Sequence, residues 1–157
     1  MVEAAVALSM LSIGIVGIFT LLSNSYGFNA VSTNEYVAAN LAAEGIEVAR
    51  NILDKNTMRA EEWNFGLEDC TDIDGGCSLA YDSTEAGSLQ DNLLQFHPDT
   101  GLYDYEADES TKFKRKMTIT LNPDDDHEIQ VISKVEWKDR GDIEYNVTLE
   151  DKLFNWR

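Results

Sequence analysis

Two cysteines, Cys70 and Cys77, are the residues of this chain whose type and spacing most directly suggest chemistry. Six residues separate them, among them Asp72, Asp74, Gly75 and Gly76. In an oxidising compartment such a pair closes a small loop as a disulfide; in a reducing one it stays as two thiols. Closure of a loop of about eight residues removes roughly 2–3 kcal/mol of chain entropy from the unfolded state. A zinc site would need further soft ligands. His97 and His127 are the only histidines, and neither stands at metal-binding spacing from the cysteines. Asp72-x-Asp74-Gly75 resembles a fragment of a calcium loop but has Gly76 where the next oxygen ligand belongs. Asp124, Asp125 and Asp126 form a second acidic turn. No cofactor is expected; calcium at Asp72 and Asp74, or at Asp124 and Asp126, is the ionic alternative.

The remaining candidates are charges in unusual company. Glu3 is the only charged residue among the first 34. A carboxylate beside a long apolar run is either a functional intramembrane acid or a headgroup-level residue favouring the helix dipole. Lys112, Lys114, Arg115 and Lys116 make the one basic cluster, read as a solvated strand face or a patch meeting an acidic loop of a neighbour. Asn146-Val147-Thr148 matches a glycosylation sequon. There is no nucleophile motif, no glycine-rich phosphate loop and no metal-spaced cluster, so the chain is not expected to be an enzyme.

The elements that would carry these residues fall into three stretches. The chain has 157 residues, 12 Lys and Arg against 29 Asp and Glu, and a net charge of −17. That balance argues against nucleic-acid binding, which needs a surplus of bases at the phosphates. Residues 1–54 read as one long helix. Ala4 to Ser23 is 20 residues without a charge. At about 1.5 Å per residue such a helix spans a hydrocarbon core of roughly 30 Å. A cleaved signal peptide is the alternative, but no Lys or Arg precedes the run. Residues 1–25 form the apolar part and 26–54 the amphipathic part. In the latter Val37, Leu41, Gly45, Val48 and Ile52 repeat every three or four positions. Gly14 and Gly17 are weak points, each costing about 1 kcal/mol relative to Ala, or else sites of close helix packing.

Residues 55–111 read as an acidic loop region; its 60–111 part holds 14 acids and no Lys or Arg. Residues 112–157 change to a period of two. Phe113, Met117, Ile119 and Leu121 alternate with polar residues. So do Ile129, Val131, Val135 and Trp137, and then Ile143, Tyr145, Val147 and Leu149. Turn chemistry at Asn122–His127 and Asp139–Asp142 makes these strands an antiparallel meander. Leu153, Phe154 and Trp156 follow as an apolar tail expected to pack at the sheet edge. The fold class expected is α+β, with the amphipathic half of the helix covering one face of a three- or four-stranded antiparallel sheet.

At this point the N-terminal residues resemble a family. MVEAAVALSMLSIGIVGIFTLL is similar to the N-terminal segment of type IV pilins and of the pseudopilins of type II secretion. There Phe-Thr-Leu-(Ile/Val)-Glu opens the mature chain, and Met1-Val2-Glu3 matches its last three positions. AANLAAEGIEVARNI (Ala38–Ile52) looks like the periplasmic half of the same helix. The likeness covers about the first 55 residues. The family has two more residues, the first an N-methylated Phe, and a basic leader ending in Gly before the position of Met1. The chain is therefore expected to lack its first two mature residues.

The resemblance implies a structural subunit of an extracellular type IV pilus, a homopolymer built through the apolar helix. Glu3 would neutralise the N-terminal amine of a neighbouring subunit, and Gly14 and Gly17 would lie in the assembly helix. It implies a pool in the inner membrane before assembly, processing by a prepilin peptidase, and an assembly machinery. Roles in adhesion or motility belong to the same expectation. The alternatives are a minor pilin or pseudopilin of a secretion or competence pilus, and a membrane-anchored binding domain that does not polymerise.

Overall fold

The computed structural model describes residues 2–67, 70, 75–90, 92–106, 109–122, 125–139 and 141–155, with the side chains of 125 and 126 left aside. Its first element, α1, runs without interruption over Val2–Arg59. By their internal contacts the residues divide into two units, 1–36 and 37–157, and α1 contributes to both.

In the first unit α1 has no charged residue between Ala4 and Asn34, and over 4–23 its apolar side chains fall on every side. Its hydroxyl residues turn back onto the helix: Ser9 Oγ donates to the Val6 carbonyl at 2.7 Å, Ser12 Oγ to Leu8 at 2.8 Å and Thr20 Oγ1 to Val16 at 2.9 Å. Each such bond satisfies a polar group without water.

In the second unit α1 has a dry face and a wet one. Ala38, Leu41, Ala42, Gly45, Val48, Ala49 and Ile52 are buried, at the three- and four-residue spacing of one helix face. Glu35, Asn40, Glu47, Arg50 and Asn51 are exposed. The helix runs five residues past its expected end at 54 and closes on Ala60, which has φ 56°. There Glu61 N–H donates to the Asn56 carbonyl at 3.1 Å and Ala60 N–H to Thr57 at 3.4 Å. This is the Schellman arrangement, with Ala at the left-handed position where Gly is usual. The buried Asn56 side chain holds the following loop, donating to the Trp63 and Phe65 carbonyls at 3.1 and 2.8 Å.

The short strands β1 (Cys77–Ser78), β2 (Gly87–Ser88), β3 (Gln95–Phe96), β4 (Tyr103–Asp104) and β5 (Glu109–Ser110) precede three long ones, β6 (Phe113–Asn122), β7 (Asp125–Asp139) and β8 (Ile143–Phe154). All pairings are antiparallel, in a sheet ordered β2-β1-β6-β7-β8 and a small one ordered β4-β3-β5. The α+β layout and the three long strands agree with the sequence reading. The main sheet has five strands rather than three or four. The extra two are only two residues long, too short for a period of two to show.

The β6–β7 register pairs Phe113 with Trp137 and Ile119 with Val131, and the β7–β8 register pairs Trp137 with Tyr145 and Ile129 with Leu153. One core joins Ile46, Ala49 and Ile52 of α1 to Met117, Ile119, Ile129, Val131 and Leu153. A second joins Ala38, Leu41 and Ala42 to Leu94, Phe113, Val135 and Trp137. The expected apolar tail is the end of β8 itself: Leu153 is buried and Phe154 exposed, while Trp156 lies outside the described residues. Leu121 and Ile143, expected to face the core, are 47% and 54% exposed. Both stand at the hairpin ends of their strands, Leu121 just where the register shifts.

Candidate functional site

Among the described residues of the first unit none is buried, although it is the most apolar part of the chain. Val2, Leu8, Met10, Ile13, Phe19 and Phe28 all have at least three-fifths of their surface exposed. Water penalises exposed apolar area at about 25 cal/mol per Å², so this stretch requires another solvent or other chains. The helix contains an 18-residue window of mean hydropathy 2.3, long and apolar enough to cross a membrane. Glu3 lies in its first turn, where a carboxylate complements the helix dipole. Gly14 and Gly17 have open space where a Cβ would stand. They are therefore flat places on the helix surface that the rest of the chain does not fill.

Cys70 and Cys77 form a disulfide, and both residues are buried. The bridge is tied to β6 on both sides: Ile119 N–H donates to the Cys70 carbonyl at 2.7 Å, and Cys77 pairs with Met117. The two ends of the loop it closes are therefore held against the sheet. Its Asp72 and Asp74 lie outside the described residues, as do Asp124 and the side chain of Asp126. Among the described residues no three His, Cys, Asp or Glu side chains gather as a metal site. His97 instead shares a 2.8 Å hydrogen bond with Asp104, across the turn from β3 to β4.

The basic cluster divides between the two faces of β6. Lys114 and Lys116 occupy the outward face. Arg115 corrects the reading of the whole cluster as a solvated face: it is fully buried. Its Nη1 donates to the Leu41 carbonyl of α1 at 2.9 Å and meets Glu44 Oε1 at 3.1 Å, and its Nη2 donates to the Leu79 carbonyl. Residue 115 is one of the inward positions set by Phe113 and Met117. The apolar pattern did not reveal this, because a guanidinium at a core position is polar in sequence. The signal available was parity: odd-numbered residues of β6 face the core.

Beside Arg115, α1 approaches the sheet at Gly45. A Cβ there would stand 2.7 Å from Met117 Sδ, 2.9 Å from Ser133 Oγ and 3.2 Å from Arg115 Cδ. The sequence reading placed Gly45 correctly on the apolar face but did not foresee this approach. Arg115 and Gly45 together fix how the second half of α1 seats on the sheet. No model of a protein family matches the chain, and no curated protein or solved structure does either.

Proposed function

We propose that the chain is a structural subunit of an extracellular filament of the type IV pilin class, polymerising through the first part of α1. One observation carries the reading: residues 4–23 form a stretch of helix with no charged residue and apolar side chains on every side, exposed throughout, whose Ser9, Ser12 and Thr20 hydroxyls bond to the helix's own carbonyls. Such a helix is equally suited to hydrocarbon and to a bundle of like helices. A subunit of this kind waits in the membrane and moves into the filament core without changing its surface. The acidic 60–111 stretch would then face outward, and its charge would keep filaments apart.

Glu3 gives the test. In an apolar core its carboxylate is costly alone and tolerable when paired with the terminal amine of the next subunit. Glu3→Gln should abolish or sharply reduce filaments in sheared surface material, seen by electron microscopy with protein identification. The circular dichroism of the purified chain should be unchanged. Normal filament yield in this variant would refute the role of Glu3. Finding the wild-type chain only at filament tips would favour a minor pilin or pseudopilin, and finding it only as membrane-bound monomer would favour an anchored binding domain.

A further inference from the structure

The second unit carries a lysine-bearing groove and, elsewhere, an exposed acidic turn. The outward face of β6 and β7 is the one place where lysines gather on a chain of net charge −17. Lys116 and Lys134 stand directly opposite in the register, and Lys134 is paired along its own strand with Glu136 at 2.5 Å. Towards the end of the sheet Lys112, Lys114 and Lys138 line a groove of about 410 Å³. Trp137, Tyr145 and Leu93 supply its apolar lining, with Glu136 and Glu144 also on its wall. Lys138 is held in place by Glu144 at 3.0 Å, and that hydrogen bond raises its pKa.

The exposed turn lies in the acidic stretch. Residues 80–83 form a tight turn, closed by Ser83 N–H to the Ala80 carbonyl at 3.1 Å and by Ala80 N–H to Ser83 Oγ at 2.9 Å. Its two central residues are Tyr81, 42% exposed, and Asp82, also exposed, with exposed Glu85 just beyond. The turn thus presents an aromatic ring flanked by carboxylates. An aromatic ring suits an aromatic-lined groove, and carboxylates suit a lysine rim.

We infer that the Tyr81–Asp82 turn of one copy docks in the Lys112–Lys114–Lys138 groove of a second copy. The two surfaces are different patches of one chain, so the contact is heterologous. Repeated without closure, it builds an open helical polymer. The inference deepens the filament reading by adding a contact between the 37–157 units of successive subunits.

The test uses the full chain in detergent micelles, which solvate the apolar helices. Self-association is followed by sedimentation velocity at low and high salt. Wild-type chain should associate at low salt and dissociate at high salt. Lys114→Glu with Lys138→Glu should weaken association about tenfold or more, and so should Asp82→Lys with Tyr81→Ala. A third variant, Asp82→Lys alone, mixed with the double glutamate variant, should restore mixed dimers that neither forms alone. Circular dichroism and retention of the disulfide check that each variant is folded. Absence of wild-type association, insensitivity to salt, or failure of the charge swap would overturn the docking. Filaments of normal yield with no charge swap would overturn the docking and leave the filament reading standing. A working charge swap without filaments would do the reverse.

Discussion

The two stretches of α1 differ in the opposite sense to their hydrophobicity. Residues 2–36 are the more apolar and bury nothing; residues 37–59 are the more polar and bury ten residues against the sheet. For a helix in water this order is inverted, since burial should follow apolar area. The difference teaches that the first stretch is built for a medium that the rest of the chain does not supply. The second stretch needs only one dry face, and the inward faces of β6, β7 and β8 provide its cover. The glycines show the same contrast. Gly45 is pressed against Met117 and Ser133, whereas Gly14 and Gly17 touch nothing.

Removing the buried guanidinium should break the second stretch most severely. Arg115→Ala leaves the Leu41 and Leu79 carbonyls without their donor, Glu44 without its counter-charge and a buried space unfilled, and should cost about 3–5 kcal/mol. Chemical denaturation of the full chain in detergent measures it. Arg115→Lys should recover only part of the loss, because an ammonium lacks the fork that reaches Leu41 and Leu79 together.

The disulfide comes next. Cys70→Ser with Cys77→Ser should lower stability by about 2–3 kcal/mol, seen as a fall in Tm, and reductant should lower the Tm of wild-type chain in the same direction. The first stretch of α1 should keep its helical signal in both cases.

The glycines then sharpen the contrast, because one substitution should have opposite signs in the two stretches. Gly45→Ala forces a methyl into Met117 Sδ and Ser133 Oγ and should destabilise by about 1–3 kcal/mol. Gly14→Ala or Gly17→Ala should instead favour the helix by about 1 kcal/mol, while filament yield falls if neighbouring helices pack there. Equal effects at Gly45 and Gly14 would remove the distinction.

The smallest effect expected is at the helix end. Ala60 holds a left-handed φ that costs a non-glycine residue about 1–2 kcal/mol. Ala60→Gly should recover up to about 1 kcal/mol, since glycine loses some of the gain as extra entropy in the unfolded chain.

Much of this was legible beforehand because periodicity survives folding. Val37, Leu41, Gly45, Val48 and Ile52 announced the buried face, and Ile129, Val131, Val135 and Trp137 the inward row of β7. Cys70 and Cys77 were paired by their proximity in the chain. Arg115 was illegible as a core residue because its worth depends on carbonyls 36 and 74 residues away in sequence. The strands β1 to β5 were hidden for a related reason. Each has two residues, and their places are set by partners such as Met117 rather than by a pattern of their own.

The sequence by itself determined the three-part order of the chain: a helix that begins apolar and becomes amphipathic, an acidic stretch and a charge-balanced run of strands. Those are statements about composition and period, which need no partner to be true. Only the tertiary structure decided which charged side chain is dry and which glycine is a contact. It also turned one basic cluster into a buried anchor and an outward row of lysines. These depend on which distant groups meet, because the free energy of a polar or charged side chain is fixed by what surrounds it rather than by what it is.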